Sequence, residues 1–344
     1  MSDASWRLPA EWEPQSAVLI AWPHAGTDWH SRLAEVESTY AALGAAVARF
    51  EPLLVVTADA AVRARAQALL HAAGAEETRL RFVELPYDDT WLRDSGPITL
   101  LGSDGRCELL DFRFTGWGGK FGAERDDALV DGLVRAGIFG QARHRRIDWA
   151  LEGGAIESDG RGSVLTTWRC LHQRHPQSAR SEIETMLRES LHARRVLWLE
   201  HGYLEGDDTD AHIDTLARFA PGDAIVFQSC EDDADPHHAE LARMAEELAA
   251  LRTFDGRPYT LHALPWPRPI LDEGRRLAAS YANYLIVNGA VLVPAYGDAA
   301  DEAAARIIAA AHPDRTVVPI PCRPLIWQNG SLHCITMQLP AGLV

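Results

Sequence analysis

Short apolar and β-branched runs recur along the whole chain, most bounded by Gly, Pro, Asn or Asp, and several are followed by a longer stretch rich in Ala, Leu, Arg and Glu. Runs of that length and punctuation fit buried strands, and the longer stretches carry helical periodicity. The strand-like runs are 17–22, 53–57, 98–101, 164–168, 224–228, 284–287 with 290–293, and 333–337. The helical stretches are 33–50, 61–73, 181–191, 238–250 and 301–311. This alternation predicts an α/β fold. No low-complexity segment or long linker interrupts it.

The reactive residues are not scattered. They gather at the ends of the strand-like runs, as 88–94, Glu152-Gly153-Gly154, 207–214, Asn283 and Cys334. A spacing of roughly 60–70 residues is what a quasi-repeated β/α unit gives if every unit sends one strand end toward a common axis. A two-domain α/β protein would show the same alternation without the convergence, and no residue-level repeat decides between them.

Charge narrows the partners. The 344 residues hold 33 Lys plus Arg against 49 Asp plus Glu, a net charge of −16, so a phosphate backbone would be repelled and nucleic acid is excluded as a partner. Lys120 is the single lysine, which leaves one position for Schiff-base or amine-nucleophile chemistry. Cys107, Cys170, Cys230, Cys322 and Cys334 form no C-x-x-C pair, so neither a structural zinc site nor a dithiol motif is expected. The start, Met1 to Arg7, lacks a basic segment followed by an apolar one, and the longest apolar run, 285–293, falls far short of a span of about 20 residues. A cytoplasmic protein without membrane contact is expected.

Two segments carry the chemistry. In 206–214 an extended strand would put Asp210, His212 and Asp214 on one face, where flanking carboxylates suit the histidine to acid–base work. A solvated acidic loop and a metal site with His237-His238 remain alternatives, although the calcium-loop pattern is not met. Cys334 enters the last apolar run behind Gly330 and beside His333; it is either a small buried hydrophobe or a nucleophile with His212 as base. The other four cysteines have no comparable setting. Adding Asp94 and Glu152 gives one thiol, one imidazole and three carboxylates, too many acids for a papain-like protease. Paired carboxylates bind a planar guanidinium best, by parallel N–H···O bonds.

Leu8-Pro9-Ala10-Glu11-Trp12-Glu13-Pro14-Gln15, Trp91-Leu92-Arg93-Asp94, Trp117-Gly118-Gly119-Lys120, Leu151-Glu152-Gly153-Gly154, His212-Ile213-Asp214, Ala279 to Asn283 and His333-Cys334 together resemble the agmatine deiminase and bacterial peptidylarginine deiminase-like family of guanidine-modifying enzymes. The resemblance runs through nearly the whole chain and implies one catalytic domain over 1–344. It implies the pentein fold, a five-bladed α/β propeller with pseudo-fivefold symmetry. By motif, Cys334 would be the nucleophile, His212 the general acid–base, Asp94 and Asp214 the guanidinium anchors, and Glu152 the carboxylate that orients His212. Trp91, Trp117, Asn283 and Asp88 would be further substrate-binding residues.

The implied reaction is hydrolysis of agmatine to N-carbamoylputrescine and ammonia through a cysteine thiouronium, with no metal and no cofactor. The implied partner is a small cationic guanidino substrate, and the family points to a homodimer. Alternatives are a deiminase of free or peptidyl arginine, an amidinotransferase, a non-catalytic binding protein and a metal-dependent hydrolase. One departure bears on the substrate tail: the family's Gly-Gly-Gly run before the His-Cys pair is Gln328-Asn329-Gly330-Ser331-Leu332 here.

Overall fold

The computed structural model describes residues 5–344. Residues 1–4, part of the stretch read above as lacking a leader, lie outside it. Among the described residues, one sheet pattern recurs five times: an antiparallel pair of strands, a helical crossover, and a third strand parallel to the second. Ile98–Gly102 and Cys107–Arg113 pair this way, followed by Arg143–Ala150. So do Glu157–Ser158, Ser163–Thr167 and Arg195–Leu199. Ala217–Ala220, Ala224–Gln228 and Thr260–Leu264 form the next set, and Leu285–Val287, Ala290–Ala295 and Thr316–Pro321 another.

The remaining sheet ties the two ends of the chain together. Met337–Pro340 runs antiparallel to Gln15–Ala21, with Met337 opposite Leu19, and Gln15–Ala21 is followed in parallel by Leu53–Thr57 and Leu80–Glu84.

The parallel crossovers explain the composition of the strands. Leu53–Thr57 reads Leu-Leu-Val-Val-Thr with every residue buried, because helices cover strands of parallel sheets on both faces. The crossover helices show the opposite pattern. In His238–Ala250 only Leu241, Met244 and Leu248 are buried, a stripe at helical spacing. Asp59 starts the helix Ala60–Ala72 by accepting from the backbone N–H groups of Ala61 and Val62.

One element departs from expectation. The 333–337 run is not a strand: residues 331–335 are a buried turn, and the last strand is Met337–Pro340. Apolar periodicity cannot tell a buried turn from a buried strand when both are fully enclosed. Among the described residues, no helix is long and apolar enough to cross a membrane.

Candidate active site

Each of the five sheets is entered through a short buried segment, and each segment carries at least one of the polar residues at issue. Asp94 lies in the single turn Leu92–Ser95 before Ile98, and Glu152 precedes the turn Gly153–Ala155. His212 and Asp214 flank Ile213 in the turn before Ala217; Asn283 stands before Leu285, and Cys334 before Met337. The chain brings all five predicted catalytic residues into one buried cluster.

Gly154 marks its centre. A Cβ on Gly154 would lie 2.6 Å from His212 Nδ1, 2.8 Å from Asp94 Oδ1 and 3.1 Å from Asp214 Oδ2, so any side chain there would displace the cluster. The Gly154 N–H donates to Asp94 Oδ1 at 3.0 Å, and Trp117 Nε1 donates to Asp94 Oδ2 at 2.9 Å. His212 sits between two carboxylates, with Nδ1 3.6 Å from Asp94 and Nε2 3.7 Å from Glu152. Arg174 donates through Nε to Glu152 Oε1 at 2.6 Å and fixes that carboxylate.

On the other side, Cys334 Sγ lies 3.6 Å from Asp214 Oδ2 and 3.2 Å from Asn283 Nδ2. His333 faces away from the sulfur. Its Nδ1 meets Asp214 Oδ2 at 2.8 Å and its Nε2 meets Glu11 at 2.9 Å, while Arg93 and Arg218 close the network around Glu11. His333 therefore holds Asp214 and is not the base for Cys334.

Four buried polar atoms in the cluster, both nitrogens of His212, Glu152 Oε2 and Asp214 Oδ1, have no hydrogen-bond partner among the described residues. Leaving one such group unsatisfied costs about 1–3 kcal/mol, so their convergence is a standing demand for a ligand. A guanidinium supplies five donors in a fixed plane and matches the acceptors among these atoms.

The protonation states fit a site made for a cation. Burial pushes the Asp94 carboxyl up to about 6, helped by Asp214 and Glu152 and opposed by His212. Burial would also raise Glu152, but His212 and Arg174 outweigh it and hold Glu152 at about 2. For His212 burial is overcome by the nearby carboxylate charge, Asp94 foremost, and the imidazole stays protonated well above its usual range. Burial, then the charges of Asp214 and Asp94, push the Cys334 thiol well up. A bound cation reverses those electrostatic contributions and favours the thiolate.

Above the cluster opens a cavity of about 580 Å³ lined by Trp91, Trp117, Cys334, Asp94 and an acidic wall of Asp28, Asp88, Asp89, Glu124, Asp126 and Asp208. Burial lifts Asp89 and Asp126 to about 7 each, so this wall carries protons that an entering cation would displace. Trp91 is fixed by Trp29, 5.7 Å away between ring centroids, and Gly330 passes so close that a Cβ would lie 2.1 Å from its ring. Asp88 lines the cavity but turns one oxygen to the Arg125 N–H at 2.8 Å. Asn283 does not line the cavity and stays against the sulfur.

Three sequence expectations need correction. Asp210, His212 and Asp214 do not share a strand face: Asp210 and Ala211 are both left-handed, with φ of 67° and 71°, and Asp210 points to Arg174 and Lys120. A left-handed conformation costs roughly 1–2 kcal/mol per non-glycine residue. Asp207, the first residue of the 207–214 group placed above with the reactive residues, instead caps this loop by accepting from the backbone N–H groups of Thr209 and Ala211. His237 Nδ1 meets Asp235 and its Nε2 accepts from the Glu205 backbone N–H, so it offers His212 no help with a metal.

Cys170 was dismissed too soon. Its thiol, Glu152 and His212 present ligand atoms within 4.8 Å of one another. Arg174 and Cys170 were missed as site residues because both come from the one-turn-apart face of the short helix Trp168–Arg174, which no motif marks. Glu11, four residues into a motif quoted only for resemblance, was missed as the support of His333.

Comparison with known proteins agrees with this geometry. The model of the Porphyromonas-type peptidyl-arginine deiminase family matches residues 7–340. The agmatine deiminase of Stutzerimonas stutzeri is 35% identical, with 98% of this chain and 96% of that protein covered. A Porphyromonas gingivalis protein provisionally named an arginine deiminase is 45% identical with a TM-score of 0.92, covering 99% of this chain and 100% of that one. A cysteine-to-serine variant of the C. jejuni agmatine deiminase, solved with substrate bound, is 33% identical with a TM-score of 0.91, covering 100% and 99%.

Proposed function

The chain belongs to the Porphyromonas-type peptidyl-arginine deiminase family, and from that premise we propose that it is an agmatine deiminase, hydrolysing agmatine to N-carbamoylputrescine and ammonia. The observation that carries the proposal is the convergence of Cys334, His212, Asp94, Asp214 and Glu152 on one set of unsatisfied buried atoms. The five repeated sheets, each entered through a site-bearing segment, support a five-bladed propeller about that point, and we read residues 1–344 as one catalytic domain; a cytoplasmic homodimer is proposed on the family resemblance alone.

The chemistry follows from the charges. Asp94 and Asp214 hold the guanidinium beside Cys334, which places carbon and sulfur in near-attack geometry and lowers the thiol pKa. Sulfur attacks the guanidinium carbon, and His212, already protonated, gives its proton to the departing ammonia. The thiouronium left on Cys334 is then attacked by water, whose proton returns to His212, and the thiolate leaves with release of the ureido product. Glu152, anchored by Arg174, keeps the imidazolium oriented through both steps. Trp91 and Trp117 wall the aliphatic stem, and Asp88 and its acidic neighbours attract the terminal ammonium.

A second reading, deimination of arginine or peptidyl arginine, is favoured by one observation. Arg275 lines the otherwise acidic cavity and donates to two neutral acceptors, the Asn329 side chain and the Trp327 carbonyl, so it offers a charge to a substrate carboxylate. Purified protein given agmatine, arginine, methylated arginine and an arginine peptide, scored for ammonia and ureido product, separates the readings. Agmatine turnover supports the proposal, and turnover confined to carboxylate-bearing substrates rejects it.

A further inference from the structure

Two strained turns face each other across the mouth of the site. One is Gly116–Gly119, in which four successive residues have positive φ, including Trp117 at 55°; it delivers the Trp117 indole N–H to Asp94. The other is Asp210-Ala211, whose paired positive φ values immediately precede His212. Neither non-glycine residue in the second turn tolerates that backbone freely, so outside contacts must hold it. The Ala211 peptide is pinned by Asp207 and Thr167, at 2.7 Å each. Asp210 is pinned through its carboxylate alone.

That carboxylate is shared by two cations. Arg174 NH1 reaches Asp210 Oδ2 at 2.7 Å while its Nε holds Glu152, and Lys120 Nζ reaches the same oxygen at 2.6 Å and the Asp208 carbonyl at 2.5 Å. Lys120 is the residue directly after the Trp117 turn. Its ammonium therefore spans from the turn that positions Asp94 to the turn that positions His212, and through Arg174 the same chain of charges continues to Glu152. It is also the only lysine in the sequence, otherwise given over to arginine.

We infer that Lys120 is a positioning residue: its ammonium clamps the Trp117 turn to the Asp210-Ala211 turn and so fixes His212 against Asp94 and Glu152. It touches no reacting atom. The role rests on the deiminase reading, since it acts through that reaction's acid–base pair. A lysine serving only as a surface counter-charge to acidic loops would leave turnover unchanged.

The test compares wild type, Lys120→Met and Lys120→Arg, with rates expressed per Cys334 labelled by an amidinium-bearing alkylating agent so that unfolded molecules do not count. Wild-type turnover of agmatine is measured first; an inactive parent rejects the substrate reading, and the variants are then compared on whichever guanidino compound the parent accepts. The clamp predicts a kcat at least tenfold lower for Lys120→Met, KM within threefold, and Lys120→Arg within threefold of wild type. Acylating Lys120 in the folded wild-type protein with an amine-selective reagent, followed by mass of the Lys120 peptide, removes the charge after folding and gives the same loss. A smaller loss of kcat, or an arginine variant as impaired as the methionine one, overturns the inference.

Discussion

The floor and the mouth of the site are built on different principles. On the floor, Glu11, Arg93, Arg218 and Glu157 form one buried network of opposite charges, and His333 joins it to Asp214. At the mouth, Lys120, Asp210, Arg275 and Asn329 are partly exposed, and the contacts join loops to loops. Breaking a buried ion pair by removing one partner costs about 3–5 kcal/mol, whereas exposed pairs contribute roughly 0–1 kcal/mol. The lesson is a division of labour in stability: the floor cannot lose a charge without cost to the fold, whereas the mouth can, and the mouth sets the tail of the substrate and, through Lys120 and Asp210, the placing of His212.

That division is open to attack, beginning where the effects are largest. Cys334→Ala should lower ammonia release from agmatine by about three orders of magnitude or more, with thermal unfolding little changed, since the site offers no second nucleophile in contact with Asp214. Residual activity within tenfold of wild type would contradict the assignment. Arg218→Met should lower unfolding free energy in a urea titration by about 3 kcal/mol or more, because Glu157 is left buried without its cation while Glu11 keeps only Arg93. The corresponding change at the mouth, Arg275→Ala, should shift stability by less than about 0.5 kcal/mol.

Asp94 links floor chemistry to pH. With its carboxyl at about 6 and ionisation needed to hold the guanidinium, kcat/KM for agmatine should be level above that pH and fall about tenfold per unit below it. The sign for folding is opposite. A carboxyl raised above its unfolded value of about 3.9 binds its proton more tightly when folded, so its ionisation weakens the fold as pH rises from about 4 through 6. Asp94→Asn should be inactive, and its unfolding free energy relative to wild type should rise as pH is raised from about 4 to 7, because the variant has no carboxyl to ionise. A variant destabilised equally at both pH values would show that Asp94 serves the fold and not the substrate.

A small effect belongs to the altered loop before Cys334. Asn329 has φ of 69°, a conformation glycine adopts freely and asparagine tolerates, so this position of the loop suits either residue. Asn329→Gly should be near neutral in thermal unfolding, and Asn329→Ala should cost about 1 kcal/mol. Equal stabilities would mean that the left-handed turn is not what selects this residue.

How much was legible in the sequence follows the same line. Asp94, Glu152, His212, Asp214 and Cys334 each precede a strand, so punctuation plus residue chemistry found them, and the helices 238–250 and 301–311 were found to the residue by their apolar stripes. Turns without periodicity were not legible. The left-handed Asp210-Ala211 pair broke the alternation from which a common face had been read, and the enclosed 331–335 turn looked like a strand because burial makes both apolar. Arg174, Cys170 and Glu11 act through contacts with residues far away in sequence, and no local pattern announces such partners.

The central claim is that turnover passes through a covalent bond between Cys334 and the guanidinium carbon. Acid quenching during steady-state turnover of agmatine, followed by mass analysis of the Cys334 peptide, tests it directly. The expected result is a Cys334 peptide heavier by agmatine less ammonia. Ureido product forming while that peptide stays unmodified, in a protein where Cys334→Ala remains active, would contradict it.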